Sequence, residues 1–407
     1  MAYVKFTNLQ KTTWLAHKKF RLINLDLELT ERCNNACIHC YINQPQDNRK
    51  VKDREMDTKI IKDILHQAAD LGCLSVRFTG GEPLLREDFS DIYVFARQLG
   101  FQVEILTNAT LISTQLCQLF QRLPPGKPLS VTVYGMHAHS YDTVVGRRGA
   151  FKEFRKGINL LQDYKIPFKV KQSLLPQNKH EMAEFEAFSA SLPHMEHPPT
   201  YSINFDLRGR RDDQSKNRLI SKLRYSPEET LELFTRQPDK YIKGMQAFAK
   251  KHLGHPSNLI FSCGAGANPC VDAFGNLQLC MLLRHPDTIY PLDSEQHHIN
   301  HPETDLPPLE YGLKVFFPEV RRLTATNPEY LNRCAKCFLS GLCEQCPAKS
   351  WEEHGTLDMP VEYQCEVTHA QAQFLGLIQN GEKAWTLPPQ IWKERLAKFV
   401  ANNEDKL

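Results

Sequence analysis

The feature that most constrains this 407-residue chain is the placement of its thirteen cysteines. Three stand at 33, 37 and 40, two stand alone at 73 and 117, and eight crowd between 263 and 365. Groups at such short spacings read as metal-ligand sets. The N-terminal segment MAYVKFTNLQKTTWLAHKKF lacks the apolar stretch of a secretory signal. No run of about 18 apolar residues offers a bilayer span. A cytoplasmic location is expected, and in that reducing compartment a disulfide framework is the weaker reading. Fifty basic and 47 acidic side chains leave a net charge of +3, which argues for neither a nucleic-acid nor a membrane partner.

The first half of the chain repeats one structural unit. Alternation predicts strands over 22–28, 74–79, 101–106, 129–135 and 168–174. Between them, helical spacing predicts helices over 56–71, 88–99, 113–120 and 151–163, two of them closed by Gly72 and Gly100. Strands alternating with helices of this length imply a parallel sheet with crossover helices, and a succession of them a barrel or partial barrel. Chemistry in barrels gathers at the carboxyl ends of the strands. Beyond residue 175 the pattern weakens. LRGRRDDQSKNR (207–218) reads as a solvated loop, with peptide docking as the alternative. SPEET (226–230) opens a helix capped by Ser226, and 284–330 reads as an irregular linker. HHINH (297–301) reads as an exposed loop, with metal binding as the alternative. The segment from Pro388 to Val400 reads as an amphipathic helix.

Cys33, Cys37 and Cys40 form C-x3-C-x2-C. Three thiolates on one loop can ligate three irons of a four-iron cube and leave the fourth without a protein ligand. An open coordination position is what a catalytic metal centre requires. The competing reading is a zinc knuckle, but His39, between two of the cysteines, is poorly placed to close one. Thr79-Gly80-Gly81-Glu82-Pro83 follows one unit later, at a strand end and before a helix. Its glycines allow close backbone approach, and Glu82 can accept from a cationic amine.

CNNACIHCY and TGGEPLLR together resemble the cluster loop and the methionine-binding motif of the radical S-adenosylmethionine (SAM) superfamily, over roughly residues 20–180. The resemblance implies a partial (β/α)6 TIM-like barrel. It implies that the amine and carboxylate of SAM chelate the vacant iron, with Gly80, Gly81 and Glu82 contacting the methionyl group. His39 takes the place of a residue that packs near the adenine. TNAT (107–110) is similar to the family's TNGT turn and offers Asn108 as a SAM contact. VTVYG (131–135) resembles a strand ending in a serine-rich turn, with Thr132 in place of serine. GRRG (146–149) offers Arg147 and Arg148 for a further SAM contact, and Arg148 is taken. His137 and His139 read as loop residues, with substrate contact as the alternative.

The C-terminal cysteines include two CxxC pairs, Cys334/Cys337 and Cys343/Cys346, which alone would suit a zinc ribbon as well as iron. Eight thiolates are also what two fully ligated four-iron clusters need. The arrangement resembles the SPASM extension of radical SAM enzymes. Cys263, Gly275 and Cys280 fit the first part of that pattern, and Cys334, Cys337 and Cys343 the second. Cys346 follows one residue early. The resemblance implies one auxiliary [4Fe–4S] cluster on Cys263, Cys280, Cys346 and the additional Cys270. It implies a second on Cys334, Cys337, Cys343 and Cys365. If Cys270 is not a ligand, the first auxiliary cluster keeps an open iron. Cys73 and Cys117 read as small buried side chains.

The implied organisation is an N-terminal extension (1–20), the partial barrel (21–240), a small cysteine-rich SPASM domain (241–375) and a helical tail (376–407). The resemblance implies reductive cleavage of SAM to a 5′-deoxyadenosyl radical, which takes hydrogen from the substrate. A flavodoxin- or ferredoxin-type protein would donate the electron. SPASM-bearing relatives act mostly on peptides, so the expected function is maturation of a ribosomally made precursor peptide by cross-link, thioether or other oxidation. A separate peptide-docking protein is an expected partner, because the N-terminus is short for a recognition domain. The alternatives are formylglycine formation, for which Met281 stands where that group has a general-base Asp, and modification of a haem precursor. The non-enzyme alternative is an iron–sulfur or zinc scaffold, which has no need of a GGEP motif beside an incomplete cysteine set.

Overall fold

A computed structural model describes residues 22–401, apart from 196 and 344. The N-terminal extension expected over 1–20 lies outside the described residues. Six parallel strands form the body of the fold: β1 (Asn24–Thr30), β2 (Ser75–Gly80), β3 (Gln102–Thr107), β4 (Leu129–Val133), β5 (Phe168–Ser173) and β6 (Thr200–Ser202). They pair in chain order, β1 to β6, each joined to the next by a crossover carrying at least one helix. This is the expected partial barrel. β6 and the helix α4 (Ala138–Val145) were not legible in the pattern, being short and weakly periodic.

The helices form where their apolar faces dictate. Helix α1 (Thr58–Asp70) is capped by the Asp57 carboxylate, which accepts from the Ile60 amide at 2.8 Å. It buries Ile61, Ile64, Leu65 and Ala68, the i, i+3, i+4, i+7 stripe. α2 (Phe89–Gln98), α3 (Thr114–Arg122) and α5 (Ala150–Asp163) do the same with Ile92, Phe120 and Phe154. These faces meet Leu25, Leu27, Val76, Phe78, Val103, Ile105, Val131 and Val170 in one core. The opposite face of the strands is different. Arg77, Glu104, Leu106, Ser130, Thr132 and Lys171 alternate with those core residues and remain partly exposed. Parallel sheets are ordinarily buried on both faces. Here the concave face is a polar lumen that water reaches.

The cysteine-rich C-terminal part is built onto the same sheet. β7 (Cys270–Val271) pairs in parallel with β1, and β8 (Asn276–Gln278) and β9 (Ile289–Pro291) continue it antiparallel. Residues 284–330 are therefore not an irregular linker. They contribute β9 and the helices Ser294–Asn300 and Pro308–Tyr311. HHINH lies on the first of these helices rather than on an exposed loop. His297 is buried, its Nε2 donating to the Leu306 carbonyl at 2.9 Å and its Nδ1 facing the Tyr290 hydroxyl. At the C-terminus the expected amphipathic helix spans Pro389–Ala401 and packs Trp392 on Phe338, with ring centroids 5.2 Å apart.

Buried charge joins the two parts. The Arg284 guanidinium grips Glu28 of β1 through two hydrogen bonds of 2.7 and 2.9 Å, with side-chain exposures of 1% and 0%. Arg210 pairs with Glu31 at 2.6 Å and with Asp272 at 3.0 Å. Arg208 is buried against Asp212, and Arg211 donates to the Trp351 and Glu352 carbonyls at 2.6 and 2.8 Å. The arginines at 208, 210 and 211 of the basic run are thus engaged by the protein, while 212–215 are exposed. Arg208, Arg210 and Arg211 find carboxylates and carbonyls within the run and on neighbouring segments, and its last part forms helix α6 (Gln214–Ser221), on which Arg218 is exposed. Removing one member of a buried pair strands the other charge. Arg284→Met is expected to cost about 3–5 kcal/mol of stability in urea unfolding. The double change Arg284→Met with Glu28→Gln should recover much of that loss.

Candidate functional site

The cysteine loop starts where β1 ends. Arg32–Cys33 pairs in parallel with Gln44–Pro45, which closes residues 31–45 into a loop. Arg32 anchors its base through a two-point pair with Glu55 at 2.9 and 3.0 Å, and Glu55 also accepts from the Thr30 hydroxyl. On the far side the Ala36 and Ile38 amides donate to the carbonyls of Val145 and Val144 at the end of α4. Lys216 of α6 donates to the Cys37 carbonyl at 2.7 Å.

The GGE motif is stitched to the base of this loop. The Gly81 amide donates to Thr30 at 2.7 Å and the Glu82 amide to Arg32 at 2.9 Å, so pairing continues past the strand end up to Cys33. Gly80 has φ +124°, and a Cβ there would lie 2.1 Å from the Thr30 carbonyl oxygen. A Cβ on Gly81 would lie 2.2 Å from the Arg32 oxygen. Both positions require glycine because the cysteine loop passes against them. Glu82 is fully buried. Its Oε1 accepts from the Leu84 amide and the Thr107 hydroxyl, and its Oε2 from the Asn108 amide at 2.8 Å. Burial still pushes this carboxyl up to about 7. A carboxylate offers about four acceptor directions, so one remains on Oε2.

Asn108 sits between the two motifs. Its Nδ2 donates to Asn34 at 3.0 Å and lies 3.8 Å from Cys33 Sγ. Ala109 is held at φ +61°, the left-handed region, where the resembling turn carries glycine. Asn35 donates its amide to Cys33 Sγ at 3.4 Å. Amides aimed at sulfur favour a thiolate and are the outer contacts expected around a metal-bound cysteine. The thiols of Cys33, Cys37 and Cys40 lie close enough to act on one another electrostatically. Burial first, then the charges of Glu82 and Cys40, pushes Cys33 up to about 12. Three thiolates here need the positive charge of a metal centre. This donor set fits a cluster carried on three cysteines. Beside it lies a cleft of about 570 Å3 lined by Cys33, Asn34, Asn35, Gln44, Arg147 and Lys216, within the range of small-molecule sites.

The other expected contacts divide. His39 packs between the rings of Tyr134 and Phe205, with centroids 5.8 and 5.1 Å away, and burial pushes it down to about 3. Thr132 stands on the lumen face of β4, partly exposed. Of the two arginines, the structure brings Arg147 to the loop: its Nε donates to Asn35 at 3.0 Å while its other nitrogens hold Glu153. Arg148, the residue taken from sequence, is exposed and lies outside this network. His137 is exposed and pairs with Glu184. Sequence reading missed Asn35, Arg147 and Lys216 as loop supports, because their partners lie about a hundred residues or more away in the chain.

Among the described residues, no set of three or more His, Cys, Asp or Glu side chains is gathered tightly enough to hold a metal ion. The C-terminal thiols nevertheless converge in two neighbourhoods. Cys334, Cys337, Cys343 and Cys365 act on one another and line one cavity, which Cys346 also reaches. Arg333 donates to Cys365 Sγ at 3.7 Å, and His369 Nδ1 lies 3.6 Å from it. Cys263 acts on Cys280, and Cys280 on Cys346. Cys270 is fully buried on β7 opposite Asp26, and Glu28, Arg284, Asp26 and Asp272 act on it. Val271 takes the core side of this short strand. Cys73 and Cys117 are buried, as expected.

Residues 27–188 match the model of the Radical SAM superfamily. Among curated proteins, the chain is 29% identical over 157 residues to an AdoMet-dependent heme synthase of Methanosarcina barkeri, covering 39% of this chain and 44% of that protein. It is 28% identical over 165 residues to the antilisterial bacteriocin subtilosin biosynthesis protein AlbA of Bacillus subtilis, covering 40% and 36%. The chain thus spans less than half the length of these relatives. Among solved structures it superposes on native anSMEcpe with bound AdoMet at TM-score 0.58 and 15% identity, over 94% of this chain and 100% of that one. It superposes on Streptococcus suis SuiB bound to S-adenosylmethionine at 0.57 and 16%, over 89% and 84%. Both enzymes have also been solved with peptides, Cp18Cys on the first and the precursor SuiA on the second. At these identities the structures establish a common fold.

Two outcomes test this geometry. Gly81→Ala is expected to cost about 3 kcal/mol or more in urea unfolding, because backbone must move to admit the methyl group. Gly244→Ala, where nothing lies within 4 Å on the helix Pro238–His252, should be neutral or stabilising. In the lumen, burial pushes Asp26 up to about 6. Between about pH 4 and pH 6 the folded chain therefore holds a proton that the unfolded chain has released, and this group's contribution to stability falls as pH rises. Asp26→Asn should lack that slope, so the urea midpoint of the unsubstituted chain minus that of the variant should fall as pH rises across the window. A difference that is flat, or that slopes the other way, contradicts the assigned shift.

Proposed function

We propose, from the match of residues 27–188 to the Radical SAM superfamily model, that the chain is a peptide-modifying radical SAM enzyme with two auxiliary iron–sulfur clusters. When bound, S-adenosylmethionine and a four-iron cluster on Cys33, Cys37 and Cys40 supply one-electron cleavage of the sulfonium and hydrogen abstraction from an unactivated C–H bond. The chain's own residues do the rest. The backbone seam at Thr30–Arg32 and Gly80–Glu82 fixes the cysteine loop against the strand ends. The acceptor direction left on Glu82 suits an ammonium. Arg147 and Asn108 hold Asn35 and Asn34 so that the loop keeps its shape. His39, between two aromatic rings, presents an apolar neutral face toward a nucleobase. The polar lumen, with Arg77 bridging Asp26 and Glu104 at 3.3 and 3.2 Å, receives and orients substrate below the loop.

One observation carries the peptide reading: the fold match to anSMEcpe and SuiB runs through the cysteine-rich C-terminal part as well as the barrel, and both have been solved with a peptide bound. The AlbA match supports it. Haem-precursor modification is the second reading, favoured by the match to an AdoMet-dependent heme synthase, which covers 39% of the chain as the AlbA match covers 40%. In the peptide reading, Cys263, Cys280, Cys346 and the additional Cys270 would hold one auxiliary cluster and Cys334, Cys337, Cys343 and Cys365 the other. A flavodoxin- or ferredoxin-type protein would donate the first electron, and clusters held by these cysteines would supply one-electron redox chemistry beside the substrate.

The test is anaerobic reconstitution with iron and sulfide, followed by dithionite and SAM. About twelve irons per chain are expected from three four-iron clusters. The variant Cys33→Ala, Cys37→Ala, Cys40→Ala should lose 5′-deoxyadenosine formation yet retain about eight irons. Mass spectrometry of a genomically neighbouring small peptide, incubated with enzyme and SAM, should show loss of two hydrogens. A changed tetrapyrrole with an unchanged peptide would favour the second reading.

A further inference from the structure

The helix Pro238–His252 carries four lysines, Lys240, Lys243, Lys250 and Lys251, and all four are exposed. At about 3.6 residues per turn they fall within about 100° of one another, in one row about 17 Å long. The opposite side of the helix is buried. Ala249 joins an apolar cluster with Leu253, Phe338 and Trp392, and Gln246 donates to the Phe399 carbonyl at 2.9 Å. Asp239 is the one acidic residue of the helix, so its charged side chains leave it at +3, as much as the net charge of the whole chain. Among the described residues, none of the four lysines forms an ion pair or a hydrogen bond through its side chain. Lys62, by contrast, finds Asp91 at 2.7 Å.

A row of like charges is ordinarily just a solvated face. This one is set apart by what its helix is packed on. The end of the helix meets the loop that joins Cys337 to Cys343. There the Gly254 amide donates to the Phe338 carbonyl at 2.9 Å, and a Cβ on Gly341 would lie 2.1 Å from the His252 carbonyl oxygen. Nearer its start, the Tyr241 hydroxyl donates to Gln371 at 2.9 Å, on the helix Glu362–Phe374 that bears Cys365. Cys334, Cys337, Cys343 and Cys365 line one cavity. A protein docked on the lysine row is therefore separated from two thiol-bearing segments by a single helix.

The row fits an acidic protein surface, because long-range attraction steers such a partner and speeds a transient encounter. A lipid surface fits less well: the apolar side that would enter a membrane is already buried in the cluster beneath the helix. The row also holds no aromatic side chain on which a nucleobase could stack.

We propose that the face formed by Lys240, Lys243, Lys250 and Lys251 is the docking surface for an acidic one-electron carrier protein of the flavodoxin or ferredoxin class. The inference rests on the radical SAM reading above, which needs an electron from outside the chain. One electron leaves the reduced carrier, which is oxidised by one, and a cluster of this chain is reduced by one. No bond forms or breaks between the two proteins.

The test uses the full chain, reconstituted anaerobically and given SAM, with two electron sources: dithionite, or an acidic flavodoxin kept reduced by its NADPH-dependent reductase. The variant Lys243→Glu, Lys250→Glu, Lys251→Glu is compared with a control of equal charge change on other exposed lysines, Lys59→Glu, Lys152→Glu, Lys156→Glu. The first variant should form 5′-deoxyadenosine about tenfold more slowly with flavodoxin and at an unchanged rate with dithionite, and the control should match the unsubstituted chain with both. The flavodoxin-driven rate of the unsubstituted chain should fall as ionic strength rises from about 0.05 to about 0.3 M, and that dependence should flatten in the first variant. The proposal is overturned if the flavodoxin-driven rate of the first variant is unchanged, if both triple variants slow alike, or if the first variant slows equally with dithionite. Loss of binding to duplex DNA or to anionic phosphatidylserine vesicles, with flavodoxin-driven turnover intact, overturns it in favour of another partner. An unsubstituted chain that turns over with dithionite but with neither flavodoxin nor an acidic ferredoxin also overturns it. An unsubstituted chain that forms no 5′-deoxyadenosine even with dithionite overturns the radical SAM reading itself.

Discussion

The site depends on one seam of backbone hydrogen bonds, from Gly81 to Thr30 and from Glu82 to Arg32. It extends the β1–β2 pairing beyond the strand ends and brings the entry of the cysteine loop against the GGE turn. A side chain at either glycine would occupy the space of a carbonyl oxygen, so the seam and the two glycines require each other. The Arg32–Glu55 pair, the α4 carbonyls and Lys216 then fix the rest of the loop from three other directions. Metal and ligand therefore meet a loop that is already shaped, which lowers the ordering cost of binding.

The second organising element is electrostatic. Glu28, Glu31, Asp272, Arg210 and Arg284 form a buried network that joins β1 to the cysteine-rich part. Such networks are weak sources of net stability but costly to break. This one fixes the sheet extension β7–β9 to the barrel edge, so the C-terminal thiols are held in a set relation to the lumen. The six barrel strands leave their concave face open and charged, while their outer face is a continuous apolar core. A fold that packs one side and hydrates the other has room for a substrate at the carboxyl ends of its strands.

Local signals were legible in sequence, and distant ones were not. Alternation and helical spacing located five of the six barrel strands, and cysteine spacing with GGEP marked the loop and its partner. The failures share a physical cause. LRGRR looked solvated because its acidic partners, Glu31 and Asp272, lie far away in the chain. Arg147 and Arg148 are indistinguishable in sequence, and only the turn after α4 aims the first at Asn35. His297 looked exposed until Tyr290 and Leu306 enclosed it.

The central claim is that Cys33, Cys37 and Cys40 leave one iron vacant for the amino-acid end of SAM. Electron–nuclear double resonance on the reduced, reconstituted protein tests it directly, using SAM labelled with 15N at the methionyl amine and 17O at its carboxylate. Strong couplings from both labels to one cluster, absent when the three cysteines are alanine, are the expected result. Labelled SAM that leaves every cluster spectrum unperturbed, or a metal at these cysteines that proves to be zinc, would contradict it.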